Sequence, residues 1–339
     1  MTRESDCART YDGAPVPCLA RYNAHRWQSN HNLRGFARVS NIYWPVFRNL
    51  EKSVDDLAFA IHIDDAQLNV YSSRITDLIL RAAAEIESLA KELYRAHGGT
   101  KANDSIKFDD DAIKLLKTQW LLEEKKVILS SSHCFQSNRV LMPFVKNEAR
   151  TSSATGKMTY SWNNAYQNLK HDRGNSMTFG SVRYLFDIMA ALFVLNVYHR
   201  NETIKLGKDQ AGLSFPLNLG SSLFSIELSN NPSHGPQGEF IKKPDFASSI
   251  YYVDRTPESG KIFQDSIAAF NVAQSEVFSR HPKIIEFVSK NDVSNYQGNL
   301  AWEVLGQDEC LRIVRQVMSA NPIAGDKLEY VALLNKNVV

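Results

Sequence analysis

The most concentrated chemistry in the chain lies at Lys170, His171, Asp172 and Arg173, which we call the KHDR cluster. An imidazole that titrates near neutral pH can act as a general base or a general acid. Lysine binds phosphate as a point charge, arginine binds it in bidentate fashion, and aspartate can orient an imidazole. Metal-independent RNA cleavage needs a base for the 2′-hydroxyl, an acid for the leaving 5′-oxygen and cations for the phosphorane. Lys170, His171 and Arg173 are therefore the candidate catalytic residues.

The same cluster also has a structural interpretation. Cationic side chains in the last turn of a helix complement its dipole, each contributing about 0.3–1 kcal/mol. Asp172 and Arg173 could instead pair with charges on the first long helix, such as Arg81, Glu85 or Glu87. The sequence leaves both interpretations open.

The first long helix is predicted over residues 71–97. Apolar side chains recur there every three or four positions, Ser72 stands at the N-cap position, and Gly98 and Gly99 end the pattern. Upstream, Pro45 is expected to break the chain. The interval therefore predicts a long amphipathic helix with one buried face.

Two further helices are predicted on either side of the KHDR cluster. Residues 161–170 place Trp162 and Tyr166 on one apolar stripe, which makes both aromatic rings core residues. Residues 181–200 have almost no polar face, so this helix is expected at the centre of a bundle. Shorter predicted elements are a helix over 109–122 and a strand over 127–129.

Beyond residue 201 the pattern changes to a mixture of strand and helix signals. Strands are indicated within 213–228 and 328–334, and helices over 262–280 and 308–320, the first of them stopped by Pro282. The predicted fold is mainly α, a helical bundle followed by a smaller α+β C-terminal region. The predicted domains are an irregular basic and aromatic arm (1–40), the bundle (41–205) and the α+β region (206–339).

The helix YSSRITDLILRAAAEIESLAKELY, the later W-x3-Y-x3-KHDR pattern and the apolar helix after it resemble HEPN-like helical-bundle proteins of prokaryotes. The resemblance covers about residues 40–200. It implies a bundle of four to five helices that usually dimerises. Many such proteins are metal-independent RNases of toxin–antitoxin, abortive-infection and other phage-defence systems, and others are non-catalytic binding modules.

The chain departs from the family pattern at the catalytic motif. Active HEPN proteins carry an arginine, four to six residues, and then the histidine. At those spacings before His171 stand Asn164, Ala165 and Tyr166. The spacing occurs once elsewhere, as Arg26 to His31, which lies outside the region of resemblance and matches what chance alone would produce.

Two other groupings carry less chemistry. His133 and Cys134 follow a predicted strand, and adjacent strand residues point to opposite faces, so they do not form a nucleophile–base pair. The N-terminal arm could bind nucleic acid, but packing of its aromatic side chains on the bundle is favoured. In that arm, Arg21, Arg26, Arg34 and Arg38 alternate with Tyr22, Trp27 and Phe36.

Composition indicates a soluble protein of a reducing compartment. Among 339 residues the hydrophobic fraction is 43%, and a net charge of +2 gives no overall basic field for nucleic acid. The four cysteines are scattered without a CxxC pair, which predicts neither disulfides nor a zinc site. The polar N-terminus predicts no signal peptide, and the apolar run at 184–198 is too short for a bilayer. We expect a cytoplasmic location without membrane contact.

Two functions from different classes follow. The first is an RNA-directed effector of a bacterial defence or toxin–antitoxin type system, a metal-independent endoribonuclease acting through Lys170, His171 and Arg173 in a homodimer cleft. The second is a non-catalytic dimeric scaffold that binds a protein partner through its C-terminal region. Neither requires a cofactor or a metal. The chain carries no GxxxxGK[ST], GxGxxG, HExxH or GxSxG pattern, which argues against nucleotide-dependent, zinc-protease and α/β-hydrolase chemistry.

Overall fold

A computed structural model describes residues 41–129, 135–137, 139–151, 156–230, 233–234, 240–241, 243–293, 296, 298–322 and 325–337. Within these ranges the chain is mostly helical, with several small sheets, and is α+β overall. The expectation of a helix-rich fold is confirmed at this level. The predicted N-terminal arm, His133 and Cys134 lie outside the described residues.

The described residues divide into two compact units. One unit, the bundle unit, contains the described residues up to Asp254 and those from Val331 onward. The other, the C-terminal unit, consists of Arg255–Tyr330. Each has its own buried side chains, so each is described by itself.

Among the described residues, the bundle unit contains five α-helices, and one of them is central. The central helix is buried on nearly every side and packs against three of the others, because a helix without a polar face must be surrounded by protein. It is also long and apolar enough to cross a membrane by length and composition, but 78% of its most apolar window is buried within the protein. The helices are α1 (Tyr43–Leu57), α2 (Ser73–Ala96), α3 (Lys114–Trp120), α4 (Ser161–His171) and the central α5 (Val182–Arg200).

Helix α2 forms as its sequence pattern predicts. The Ser72 hydroxyl accepts a hydrogen bond from the backbone N–H of Ile75 at 3.2 Å and so caps the first turn. Gly98 follows the helix with a φ of +91°, which a side chain would strain, and a Cβ on Gly99 would collide with the Tyr94 ring. The buried face of α2 is Ile75, Ile79, Ala82, Ala83, Ile86, Leu89, Ala90 and Leu93.

Helix α1 was not predicted, and the expected break at Pro45 is wrong. Pro45 occupies the third position of α1. The backbone N–H groups of the first turn have no acceptor within the helix, so a proline there removes no hydrogen bond. Downstream, α1 buries Phe47, Leu50 and Val54 at helical spacing.

The segment predicted as a helix over 109–122 is helical but irregular. It begins as a π-helical turn, Phe108–Ile113, continues as α3 and ends at Trp120. Leu121 then adopts a left-handed conformation with a φ of 52°. The strand predicted over 127–129 follows and is confirmed.

The strands are short and form two main sheets. A three-stranded sheet has the order β2-β1-β6 with antiparallel pairs, in which Val127 lies between Leu141 and Ile226. A four-stranded sheet has the order β5-β11-β10-β7, with β10 and β7 parallel. The pairs β3–β4 and β8–β9 form two-stranded ribbons. The strands are β1 (Val127–Leu129), β2 (Val140–Leu141), β3 (Glu148–Ala149), β4 (Met158–Thr159), β5 (Ile204–Gly207), β6 (Phe224–Ile226), β7 (Leu228–Ser229), β8 (Ser233–His234), β9 (Phe240–Ile241), β10 (Tyr251–Arg255) and β11 (Tyr330–Leu334).

The compact units do not divide at the boundary expected near residue 205. Strand β6 pairs with β1, which joins the chain after residue 205 to the middle of the bundle unit. Tyr198 at the end of α5 donates a hydrogen bond from its hydroxyl to the Asn335 carbonyl oxygen at 2.7 Å, both groups being buried. The compact units therefore separate at Arg255 and at Tyr330. That residues 41–205 fold independently stays a prediction.

The C-terminal unit is helical in its described part. Its small core consists of Ile284, Leu305, Cys310, Ile313 and Val317. The helices predicted over 262–280 and 308–320 are both present. Pro282, expected only to stop the first of them, is also the first residue of another helix. The helices are α6 (Pro257–Ser279), α7 (Pro282–Lys290), α8 (Leu300–Leu305) and α9 (Gln307–Ala320).

Replacing Leu89 by alanine should lower the free energy of unfolding of the bundle unit by about 2–5 kcal/mol, because it leaves a cavity where a fully buried side chain packed. Urea titration followed by circular dichroism measures the loss. The matched control is Leu213→Ala, since Leu213 is 89% exposed and its loss should change stability by less than about 0.5 kcal/mol. Equal effects of the two substitutions would contradict the burial of the α2 face.

Candidate functional site

The KHDR cluster lies at the C-terminal end of α4 and is fully on the surface. Lys170 and His171 form the last turn, Asp172 is the C-cap, and all four side chains of the cluster are exposed. Helix α4 is fixed by its opposite face, where Trp162 and Tyr166 are buried as predicted. The Trp162 indole N–H donates to the Pro143 carbonyl oxygen at 2.7 Å, which anchors the first turn.

The four side chains of the cluster have different partners. The Arg173 guanidinium donates to Asp77 on α2 at 3.1 Å. Lys170 places its ammonium 5.3 Å from the centre of the Tyr166 ring, a cation–π distance. Asp172 accepts hydrogen bonds from the Asn175 amide at 3.1 and 3.2 Å. The His171 imidazole makes no hydrogen bond, ion pair or ring contact with the part of the chain that the structure describes.

Arg173 pairs with the first long helix, as the sequence suggested, but its partner is not Glu85 or Glu87. Arg173 pairs with Asp77, whereas Arg81 pairs with Glu85 at 3.1 Å and Glu87 with Lys91 at 2.7 Å. The latter two pairs are i,i+4 pairs along α2 itself. Such pairs satisfy the charges locally, so they leave nothing for α4.

The Arg173–Asp77 bond places the end of α4 beside the exposed face of α2. Arg74 lies one turn before Asp77 and Arg81 one turn after it, on the same face. Arg74 is also 3.4 Å from Asp56 of α1. The arginines next to the Arg173–Asp77 bond are thus paired with acidic side chains, whereas His171 has no internal partner among the described residues.

A second grouping, which the sequence reasoning missed, lies at the other end of α4. A half-open cavity of about 320 Å³ lies between α4, α5 and the β1–β2 pair. Its lining is about equally polar and apolar; Ser161, Arg183 and Asp187 form its polar end, and Asn147 also lines it. We call it the α4–α5 cavity. Its apolar lining includes Leu68, Leu129, Phe135, Val140, Leu141 and Phe186.

Asp187 is an acid inside the most apolar helix of the chain. Ser161 donates its hydroxyl to one carboxylate oxygen of Asp187 at 2.5 Å. Burial raises the pKa of this carboxyl from 3.8 to about 6, and the Ser161 bond and the charge of Arg183 only partly oppose that rise. The signal in the sequence was the lone carboxylate within an apolar run, since such a group must be paired or neutral.

Glu148 of β3 organises the rim of this polar end. One of its oxygens accepts from the Arg183 guanidinium at 3.3 Å and from the Tyr184 hydroxyl at 3.1 Å. The other accepts from the Asn164 amide of α4 at 3.1 Å, and Asn164 accepts from the Thr151 backbone N–H at 3.1 Å. Burial, followed by the charge of Glu148, raises the pKa of Tyr184 to about 12. The network fixes α4, α5 and β3 relative to one another.

A third grouping joins α1, α2 and α5. The Tyr43 hydroxyl donates to Glu92 at 2.8 Å, and the His199 ring nitrogen Nε2 lies 3.1 Å from the other Glu92 oxygen. The Tyr43 and His199 rings meet edge to face at 5.2 Å between centroids. The other ring nitrogen of His199 is buried without a hydrogen-bond partner among the described residues. Because the three side chains lie between helices that pack against one another, this group serves helix packing.

Within the described ranges, no three histidine, cysteine, aspartate or glutamate side chains are grouped so that they could hold a metal ion. Compared with known proteins, the chain matches no family model, no curated protein and no solved structure. Its function must therefore be argued from its own residues.

Replacing Arg173 by alanine should change the free energy of unfolding by no more than about 1 kcal/mol, because Arg173 and Asp77 are 48% and 68% exposed and exposed ion pairs contribute little. Urea titrations of Arg173→Ala, Asp77→Ala and the double variant measure the pair. A loss above about 2 kcal/mol would mean that the KHDR cluster is a structural clamp between α4 and α2.

Replacing Asp187 by asparagine should stabilise the protein increasingly as the pH rises. The raised pKa means that the folded state disfavours the ionised carboxyl, so the wild type loses stability between the unfolded value of 3.8 and about 6. Above this window the variant should gain up to about 3 kcal/mol relative to its difference at pH 4. Thermal melts of both proteins at several pH values measure the change. A difference that stays constant with pH would contradict a buried carboxyl.

Proposed function

We propose that this chain is an RNA-directed effector with a HEPN-like helical bundle, acting in the cytoplasm of a bacterium in a defence or toxin–antitoxin type system. The observation that carries the proposal is the exposed His171, which has no internal partner in the described structure and stands between Lys170 and Arg173. A histidine needed only for folding would be expected to contact its own chain.

The chemistry suits cleavage at the 2′-hydroxyl of RNA. His171 would take the 2′-hydroxyl proton or protonate the leaving 5′-oxygen, and Lys170 and Arg173 would bind the phosphate. Arg74 and Arg81 on the adjoining face of α2 are paired with Asp56 and Glu85, so the phosphate contacts rest on Lys170 and Arg173. One cluster supplies only one imidazole, whereas the reaction needs an acid and a base. A two-fold dimer with both clusters in one cleft would supply the second.

A specific observation favours the second candidate, a non-catalytic scaffold. The C-terminal unit exposes several large apolar side chains, including Ile285, Trp302 and Met318 at 55%, 43% and 51%. Such side chains would support a partner surface if they form one contiguous patch. The missing arginine before His171 also fits a bundle that dimerises without cleaving RNA.

Cleavage of a labelled single-stranded RNA in EDTA tests the first candidate. His171→Ala should slow cleavage by about 100-fold or more, because it removes a proton-transfer group. Its melting temperature should stay within a few degrees, since the imidazole supports nothing in the described structure. The matched control is His62→Ala, a histidine whose side chain is 76% exposed at the start of the α1–α2 connection.

Binding measurements separate the candidates if cleavage is weak. Lys170→Ala and Arg173→Ala should each weaken RNA binding and lower its salt dependence, because each variant neutralises one phosphate fewer; the expected change in slope is about 0.7 per phosphate of a single strand. Unchanged RNA cleavage and RNA binding in His171→Ala, Lys170→Ala and Arg173→Ala would contradict the RNA proposal. Loss of partner binding in Trp302→Ser with no RNA activity in any protein would make the scaffold the leading function.

A further inference from the structure

The α4–α5 cavity is separate from the KHDR cluster. Ser161 begins α4 and His171 ends it, so the cavity and the cluster lie about 15 Å apart along the helix. A volume of about 320 Å³ is at the lower end of the range for small-molecule sites. The cavity combines apolar side chains such as Leu141 and Phe186 with polar groups that could fix the orientation of a ligand.

The polar end has one free acceptor. Ser161 occupies one carboxylate oxygen of Asp187, and the other oxygen accepts no hydrogen bond from any residue that the structure describes. The carboxyl is half-buried and borders the cavity. Because this oxygen borders the cavity, a ligand with an N–H group that enters the cavity could donate to it.

The charged side chains around the cavity determine which charge a ligand should carry. Arg183 is the one cation among the described residues that line it, and its guanidinium is turned to Glu148 at 3.3 Å. Tyr184, also hydrogen-bonded to Glu148, stays neutral. Ionised Asp187 and Glu148 together outweigh Arg183, so the polar end carries a net negative charge. Complementarity favours a cation and disfavours a carboxylate.

We propose that the α4–α5 cavity binds a small organic amine, whose apolar body lies against Leu141 and Phe186 and whose ammonium group donates to the free oxygen of Asp187. The ammonium would replace the missing donor and neutralise the buried charge. This proposal is independent of RNA cleavage, since it uses no residue of the KHDR cluster.

Three probes with six carbon atoms each test the choice of head group. Hexylamine, 1-hexanol and hexanoate differ in charge and little in apolar surface, and isothermal titration at pH 7.5 compares their affinities. Hexylamine should bind at least about tenfold more tightly than the other two, a difference of about 1.4 kcal/mol. Equal affinities, tighter binding of hexanoate, or no binding of any probe would overturn the proposal.

Two variants and one pH series test the position. Asp187→Asn should weaken hexylamine about tenfold or more and leave 1-hexanol unchanged, whereas the exposed Asp308→Asn should change neither. Val140→Trp should block both probes, and its wild-type residue is half-exposed, so the larger ring can be accommodated. Hexylamine should bind about tenfold less tightly at pH 5 than at pH 7.5, because Asp187 with a pKa of about 6 is then mostly protonated. Wild-type affinity for hexylamine in Asp187→Asn would disprove the contact.

Discussion

The fold depends on one constraint: α5 has no face that can be left in water. Its side chains are buried around the whole circumference, and the other bundle helices, together with residues from both main sheets, cover it. Phe193 of α5 stacks on Phe224 of β6 at 5.5 Å between ring centroids, and Tyr198 is hydrogen-bonded to Asn335 near the end of the described chain. Segments distant in sequence are therefore required to complete one core, which is why the chain returns to the bundle unit after the C-terminal unit.

The polar side chains within and beside this apolar core are the groups that can bind ligands or transfer protons. Asp187 interrupts α5, and the cost of burying its charge is met partly by Ser161 and partly by a shift toward the neutral acid. The KHDR cluster, at the opposite end of α4, has the reverse character, because its groups are fully hydrated and only Arg173 is tied to another helix. Helix α4 thus contacts the acid of α5 at its beginning, through Ser161, and carries an open basic cluster at its end, and the two ends are suited to different ligands.

Sequence periodicity was sufficient where local physics decides the structure. The Ser72 cap, the apolar face of α2 and the buried stripe of α4 follow from spacing alone. Helix α1 is not apparent from the sequence because a proline usually marks a break, although Pro45 lies in the first turn, where a proline costs no hydrogen bond. The cavity could not be predicted, since Asp187 meets Ser161 and Glu148 only through packing of segments 26 and 39 positions away. The partner of Arg173 depends on the rotation of α4 against α2, which periodicity does not define.

The core of the C-terminal unit contains a buried cysteine, Cys310, whose reactivity can report local opening of that core. The Cys310 thiol is buried there and donates to the Ala301 carbonyl oxygen at 3.2 Å. A thiol-specific reagent reaches this buried sulfur when the packing of the helices around it opens. The rate at which Cys310 is alkylated, read from its own peptide by mass spectrometry, therefore gives the free energy of local opening in this unit without unfolding the rest. Motion in the part of the chain that exposes Trp302 becomes measurable without a designed label.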